Sequence, residues 1–132
     1  MSKNNRKWFL IFHALNLLSF GLPLLLMPAW MLDMYGLASQ PNALVIPQML
    51  GGVALGNMVM SWLIRDADFA SVQRPYFFNQ LVAWGGTFYA GLLGMLNGQM
   101  NVMGWMFVVN PLFWLILFGY MSLGQRRKLA QA

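Results

Sequence analysis

A chain of 132 residues that is 59% hydrophobic and 8% charged, with a mean hydropathy of +0.57, has too little polar surface to coat a water-soluble globule. Composition therefore places it among integral membrane proteins, and its length holds four spans of about 20 residues with short connections. The formal charge of +5 does not argue for a nucleic-acid partner, because the basic residues sit where membrane topology needs them, and the absence of cysteine excludes thiolate chemistry, disulfides and Cys-ligated metal.

The first seven residues are polar and basic (Lys3, Arg6, Lys7) and lead into an apolar run over 8–27. That run is too long for the core of a signal peptide and no small-x-small cleavage site follows it, so an uncleaved first span is expected, with Gly21 and Pro23 near its far end. The connection 28–43 contains PAWMLDMYG, in which Pro28 suits a first helical turn and Gly36 a helix C-terminal cap. Trp30, Met31, Met34 and Tyr35 would hold this short helix at the membrane surface, and Ser39-Gln40-Pro41-Asn42 supplies breaking and capping residues before the second span.

The second span is expected over 44–64. It carries Gly52-Val53-Ala54-Leu55-Gly56, a GxxxG step that admits another helix backbone. At about 100° per residue, Gln48, Gly52 and Gly56 share one face, while Asn57 and Ser61, with Ala54 beside them, lie nearly opposite, which suggests neighbours on both sides. A polar connection containing Arg65, Asp66, Asp68 and Arg74 leads to a third span over 76–96. There Asn79, Gln80, Ala83, Gly86, Thr87, Ala90 and Gly94 form one stripe, expected to face protein, and Leu81, Trp84, Phe88, Leu92 and Met95 another, expected to face acyl chains. After a turn at Asn97-Gly98-Gln99, the fourth span is expected over 105–123, with Asn110-Pro111 inside it and Arg126-Arg127-Lys128 after it.

The expected fold is an all-α, integral membrane four-helix bundle in a single domain, 1–132, with a short interfacial helix in the first external loop. All eight basic residues belong to the amino terminus, the second loop or the carboxyl terminus. This segregation predicts a multi-pass inner-membrane protein with both termini cytoplasmic, and Asp33 as the one charged side chain outside.

Little in the spans is reactive. His13 is the one group there that would change charge near neutral pH, with Asn16 one turn on, some 8 to 12 Å (about) inside the cytoplasmic end. Asn57, Ser61, Asn79 and Gln80 lie in the same half of their spans, so His13, Asn16, Asn57, Asn79 and Gln80 are the candidate ligand-binding residues. The plainer reading of the same residues is a neutral imidazole hydrogen-bonded to an amide on a neighbouring helix. Gln48 and Asn110, in the outer half, read as interhelical contacts. The candidate helix-packing positions are Gly52, Gly56, Gly86, Ala90 and Gly94. No catalytic residue, cofactor or metal site is assigned: no span contains a carboxylate, no nucleophile has a base at a recognisable spacing, and the twelve methionines do not cluster with His or Cys.

The run from Phe20 to Asp66, FGLPLLLMPAWMLDMYGLASQPNALVIPQMLGGVALGNMVMSWLIRD, resembles the first half of the small bacterial four-helix membrane proteins grouped around DoxX-like and related families. The shared features are Pro28, the amphipathic turn ending in Tyr35-Gly36-Leu37, the Leu50-Gly51-Gly52 step and a cytoplasmic Arg65. Members often carry a basic residue just before that step, where this chain has Gln48. The resemblance implies an accessory membrane subunit, in some cases one linked to quinone-dependent oxidoreductases. A more distant likeness is to the four-helix sterol-isomerase and sterol-binding group, whose interior acidic side chains have no counterpart here, so no catalytic role carries over.

Two functional expectations follow. The first is a non-enzymatic membrane protein acting through helix contacts, as a homo-oligomer or as accessory subunit of a membrane-protein partner. The second is a binding module for a lipid, quinone or other hydrophobic small molecule in the cytoplasmic half. An enzyme or transporter ranks below both, since one histidine is a poor substitute for a membrane carboxylate.

Overall fold

The computed structural model describes residues 2–37 and 44–129, with side chains as far as Ser122. Among the described residues every regular element is helical: α1 (Lys3–Leu26), α2 (Pro28–Met34), α3 (Val45–Leu63), α4 (Arg74–Leu96) and α5 (Met106–Leu129), with a π-helical turn at Phe69–Gln73 and a 3-10 turn at Val102–Trp105. The breaking segment Ser39 to Asn42 lies outside the described residues. Two stretches are long and apolar enough to cross a membrane, Lys3–Leu26 and Val102–Ser122. The chain divides into two compact units, Ser2–Ala67 and the residues from Asp68 onward.

The ends of these helices follow from their local sequence. Ser2 caps α1 by accepting from the Asn5 N–H at 3.2 Å. Pro28 opens α2 in the first turn, where its missing N–H costs nothing. Gly36, at φ 73°, closes α2, with Gly36 N–H donating to Asp33 and Leu37 N–H to Leu32; Gly98, at φ 65°, closes α4 in the same way through Gln99 and Gly94. Both are left-handed caps that a Cβ would strain. Asp68 caps the π-helical turn, accepting from the Ser71 N–H and hydroxyl, each at 2.9 Å. Those two donors pull its carboxyl below the usual carboxylate range. The cap is therefore fully formed above the ordinary carboxylate pKa and is lost as pH falls through the lowered value.

In the first unit α1 and α3 run antiparallel. Lys7 meets Asp66, His13 meets Ser61, Gly21 meets Gly51 and Ala54, and Gln48 reaches back to Leu25. The closest approach is at Gly51, where an added Cβ would lie 2.6 Å from the Leu25 nitrogen and 2.8 Å from the Gly21 carbonyl oxygen. Within this unit the close approach is made at Gly51 and not at the GxxxG step. An added Cβ at Gly52 or Gly56 would meet nothing within 4 Å. Helix α3 buries Pro47, Gly51 and Ser61 on the side that also carries Ala54, and the GxxxG face lies away from it. Among the described residues of this unit, α1 packs on the Gly51 face of α3.

In the second unit α4 and α5 also run antiparallel. Phe77 packs edge-on against Phe118 with ring centroids 5.1 Å apart, Trp84 stacks on Trp114 at 6.1 Å, and Gly91 lies against the Phe107 backbone. The stripe assignment on α4 is corrected in turn. Tyr76, Phe77, Gln80, Trp84, Gly91 and Gly94 are buried, whereas Asn79, Ala83, Gly86, Thr87 and Ala90 are exposed and a Cβ at Gly86 would meet nothing. Paired aromatic rings bury more area than a stripe of glycine and alanine can, so the contact forms where Trp84 and Phe77 find Trp114 and Phe118. Glycine is needed where the chains converge, and Gly91, Gly94 and Gly104 supply it, with Gly94 against Met100 and Gly104 against Met95.

Two neighbouring glycines should thus respond oppositely to one methyl group. Gly51→Ala forces the α1 and α3 backbones apart and should cost about 1 to 3 kcal/mol. Gly52→Ala adds a methyl in open space and should be neutral or mildly stabilising, since alanine is favoured over glycine in a helix by up to about 1 kcal/mol. Thermal unfolding of both purified variants in detergent checks this, and equal destabilisation would refute the register.

Candidate functional site

The first unit contains a buried polar pair. His13 projects from the stripe of α1 that buries Leu10, Ala14, Leu17 and Gly21, and Ser61 from the buried side of α3 near its end. Antiparallel packing brings them level, and His13 Nδ1 and Ser61 Oγ form a hydrogen bond of 2.9 Å. Both residues have a relative exposure of 0%. The distance is one that a serine nucleophile and its base would show, but complete burial denies a substrate access to the hydroxyl. What the arrangement does is join two helices with a bond in an apolar setting.

The other candidates sit differently. Asn16, one turn beyond His13, is partly buried; its main-chain carbonyl accepts from the Ser19 hydroxyl, while its side-chain Nδ2 is buried and has no hydrogen-bond partner among the described residues. Asn57 turns back on its own helix, donating from Nδ2 to the Val53 carbonyl at 3.1 Å. The expected cluster thus resolves, in this unit, into a His13–Ser61 pair, an unsatisfied Asn16 amide and an Asn57 bonded locally. Asn79 and Gln80 belong to the second unit, where Asn79 is exposed and Gln80 is buried to 1% exposure.

Sequence reasoning underrated two residues. Ser61 stands on the wheel one turn from Asn57, in the part of α3 that lies beside the amino-terminal half of α1. Gln73 precedes the expected third span and reads as loop, yet it is buried to 1% exposure on the π-helical turn. Its signal is spacing: Phe69, Gln73, Phe77 and Gln80 recur at steps of four, four and three. Gln48 Nε2 donates across to the Leu25 carbonyl at 3.3 Å, whereas Asn110 serves its own helix by accepting from Trp114 Nε1 at 3.0 Å.

If the His13–Ser61 bond acts as a clasp, Ser61→Ala and His13→Ala should be non-additive, with a coupling of about 0.5 to 2 kcal/mol in a double-mutant cycle of unfolding in detergent. Strict additivity would remove the clasp.

No family model, curated protein or solved structure matches the chain, so its functional reading stands on the residues and geometry given above.

Proposed function

We propose that this is a four-span, all-α protein of the bacterial inner membrane that works by helix contact, as a homo-oligomer or as the accessory subunit of a membrane complex. Lysine and arginine segregation supports the topology, with both termini cytoplasmic, and two antiparallel helix pairs are compatible with it. Spans α3 and α4 are enriched in glycine and polar residues because they serve contact as well as lipid.

The observation that carries the reading is the unused GxxxG face. A Cβ added at Gly52 or Gly56 on α3 would meet nothing within 4 Å among the described residues, although glycine costs a helix up to about 1 kcal/mol per residue relative to alanine. In a bilayer such a face is where a second helix can bring its backbone close and gain dispersion contacts that lipid does not offer. Gly86 and Ala90 on α4 extend the same argument.

A second reading is favoured by one atom. The buried Asn16 Nδ2, with no partner among the described residues, could donate to a carbonyl or hydroxyl of a bound lipid or quinone, with His13 one turn away. In that reading His13→Phe abolishes ligand retention and leaves the fold intact.

Gentle purification from native membranes followed by native mass spectrometry separates the readings. The expected mass is a defined homo-oligomer or a complex with one stoichiometric protein partner, reduced at least about fivefold in the Gly52→Leu/Gly56→Leu variant. A monomer in every preparation would overturn the contact reading, and one reproducible ligand on that monomer would favour the binding module.

A further inference from the structure

We infer that the end of the first unit formed by the amino-terminal turns of α1 and the carboxyl end of α3 binds the phosphate headgroups of anionic lipids, resting here on the membrane reading above. The stripe of α1 that packs on α3 through Leu10, His13, Ala14, Leu17 and Gly21 continues toward the amino terminus as Lys3, Arg6 and Lys7. By that point α3 has ended at Leu63, and what stands opposite is Arg65 and Asp66. The packing face thus becomes a charged one where its apolar partner runs out.

Among the described residues at this end of the first unit, Lys3, Arg6, Lys7 and Arg65 stand with one carboxylate, Asp66, a formal excess of three positive charges. Asp66 holds Lys7 at 3.1 Å and Arg65 at 3.5 Å, so it fixes one cation on α1 and one just beyond the end of α3 without cancelling the set. The Arg65 guanidinium is held further by the Trp62 carbonyl and lies 4.2 Å over the Trp62 ring. The first turn of α1 adds the positive end of a helix dipole.

Charge alone would suit any polyanion, and the surroundings select among them. Trp62, under the Arg65 guanidinium, is 47% exposed, and on the outward sides of the same helices lie exposed Trp8, Phe12 and Leu15 of α1 and Val59, Met60 and Leu63 of α3. A phosphodiester placed among Lys3, Arg6 and Arg65 would have the outward apolar surface of both helices, within the next turns, for its acyl chains and indoles near headgroup depth. A nucleic acid or an acidic peptide has no acyl chains to match that surface.

The test uses the whole chain. Alkaline carbonate extraction first checks the membrane reading: release from membranes would overturn that reading and this inference together. With the protein retained, native mass spectrometry from detergent in the presence of phosphatidylglycerol or phosphatidylcholine should record retained phosphatidylglycerol and little phosphatidylcholine. The Lys3→Gln/Arg6→Gln/Arg65→Gln variant should lose at least about tenfold of that retention, whereas Arg74→Gln, in the other unit, should retain it. Salt gives an arm that needs no variant: raising it from about 0.05 to 0.5 M shortens the screening length to a few ångströms and should strip the anionic lipid from the native chain. Excess inorganic phosphate at constant ionic strength should leave the lipid bound, for want of acyl chains. Equal retention of the two lipids, retention unchanged by salt, displacement by phosphate, or a folded triple variant that binds normally would each overturn the inference.

Discussion

The close approach of α1 and α3 at Gly21 and Gly51 is the constraint on which the first unit depends. Two helix backbones can come within reach of one another only where no Cβ intervenes, and a methyl group at Gly51 would press on the Leu25 nitrogen and the Gly21 carbonyl. Once that crossing is set, antiparallel geometry dictates the rest of the register. Gln48 comes within reach of Leu25 on one side of it, and Ser61 and Asp66 come level with His13 and Lys7 on the other. The buried hydrogen bond and the terminal ion pair are consequences of one steric fit.

The second unit solves the same problem with different chemistry. Its α4 and α5 are held by ring contacts along most of their length, Phe77 on Phe118 and Trp84 on Trp114, and the backbones converge only near the connecting turn, at Gly91 and Gly104. Large rings keep helices apart and glycines draw them together, so the two kinds of contact occupy different ends of the pair. This leaves Gly86 and Ala90 on an open face, as Gly52 and Gly56 are left on α3. Small residues that meet nothing among the described residues are the physical basis for the proposal of a contact-forming membrane component.

The polar residues divide along the same lines. His13 and Ser61 satisfy one another in the interior, where an unpaired polar group would be costly, and Asn57 satisfies a carbonyl of its own helix. Asn16 stands apart because its buried amide has no such partner among the described residues. The cationic cluster at the end of the pair is of another kind, held in shape by Asp66 while keeping its excess charge.

Much of this was legible in the chain itself. Apolar runs announced the helices, Pro28, Gly36 and Gly98 marked ends that depend only on backbone conformation, and His13 stood out because ionisable groups in apolar stretches are rare. These features are local, decided by a residue and its near neighbours. Which face of each helix meets another was decided only by the tertiary structure. On α3 both small-residue faces met the sequence criterion for contact, and Gly51 took the role expected of Gly52 because it lies on the face where Gly21 can approach. On α4 the glycine and alanine stripe yielded to Trp84 and Phe77, because ring pairing depends on partners 30 or more residues away, a separation that no local periodicity records. Ser61 became the partner of His13 for the same reason: antiparallel packing from the Gly21–Gly51 crossing brings this part of α3 beside His13 on α1.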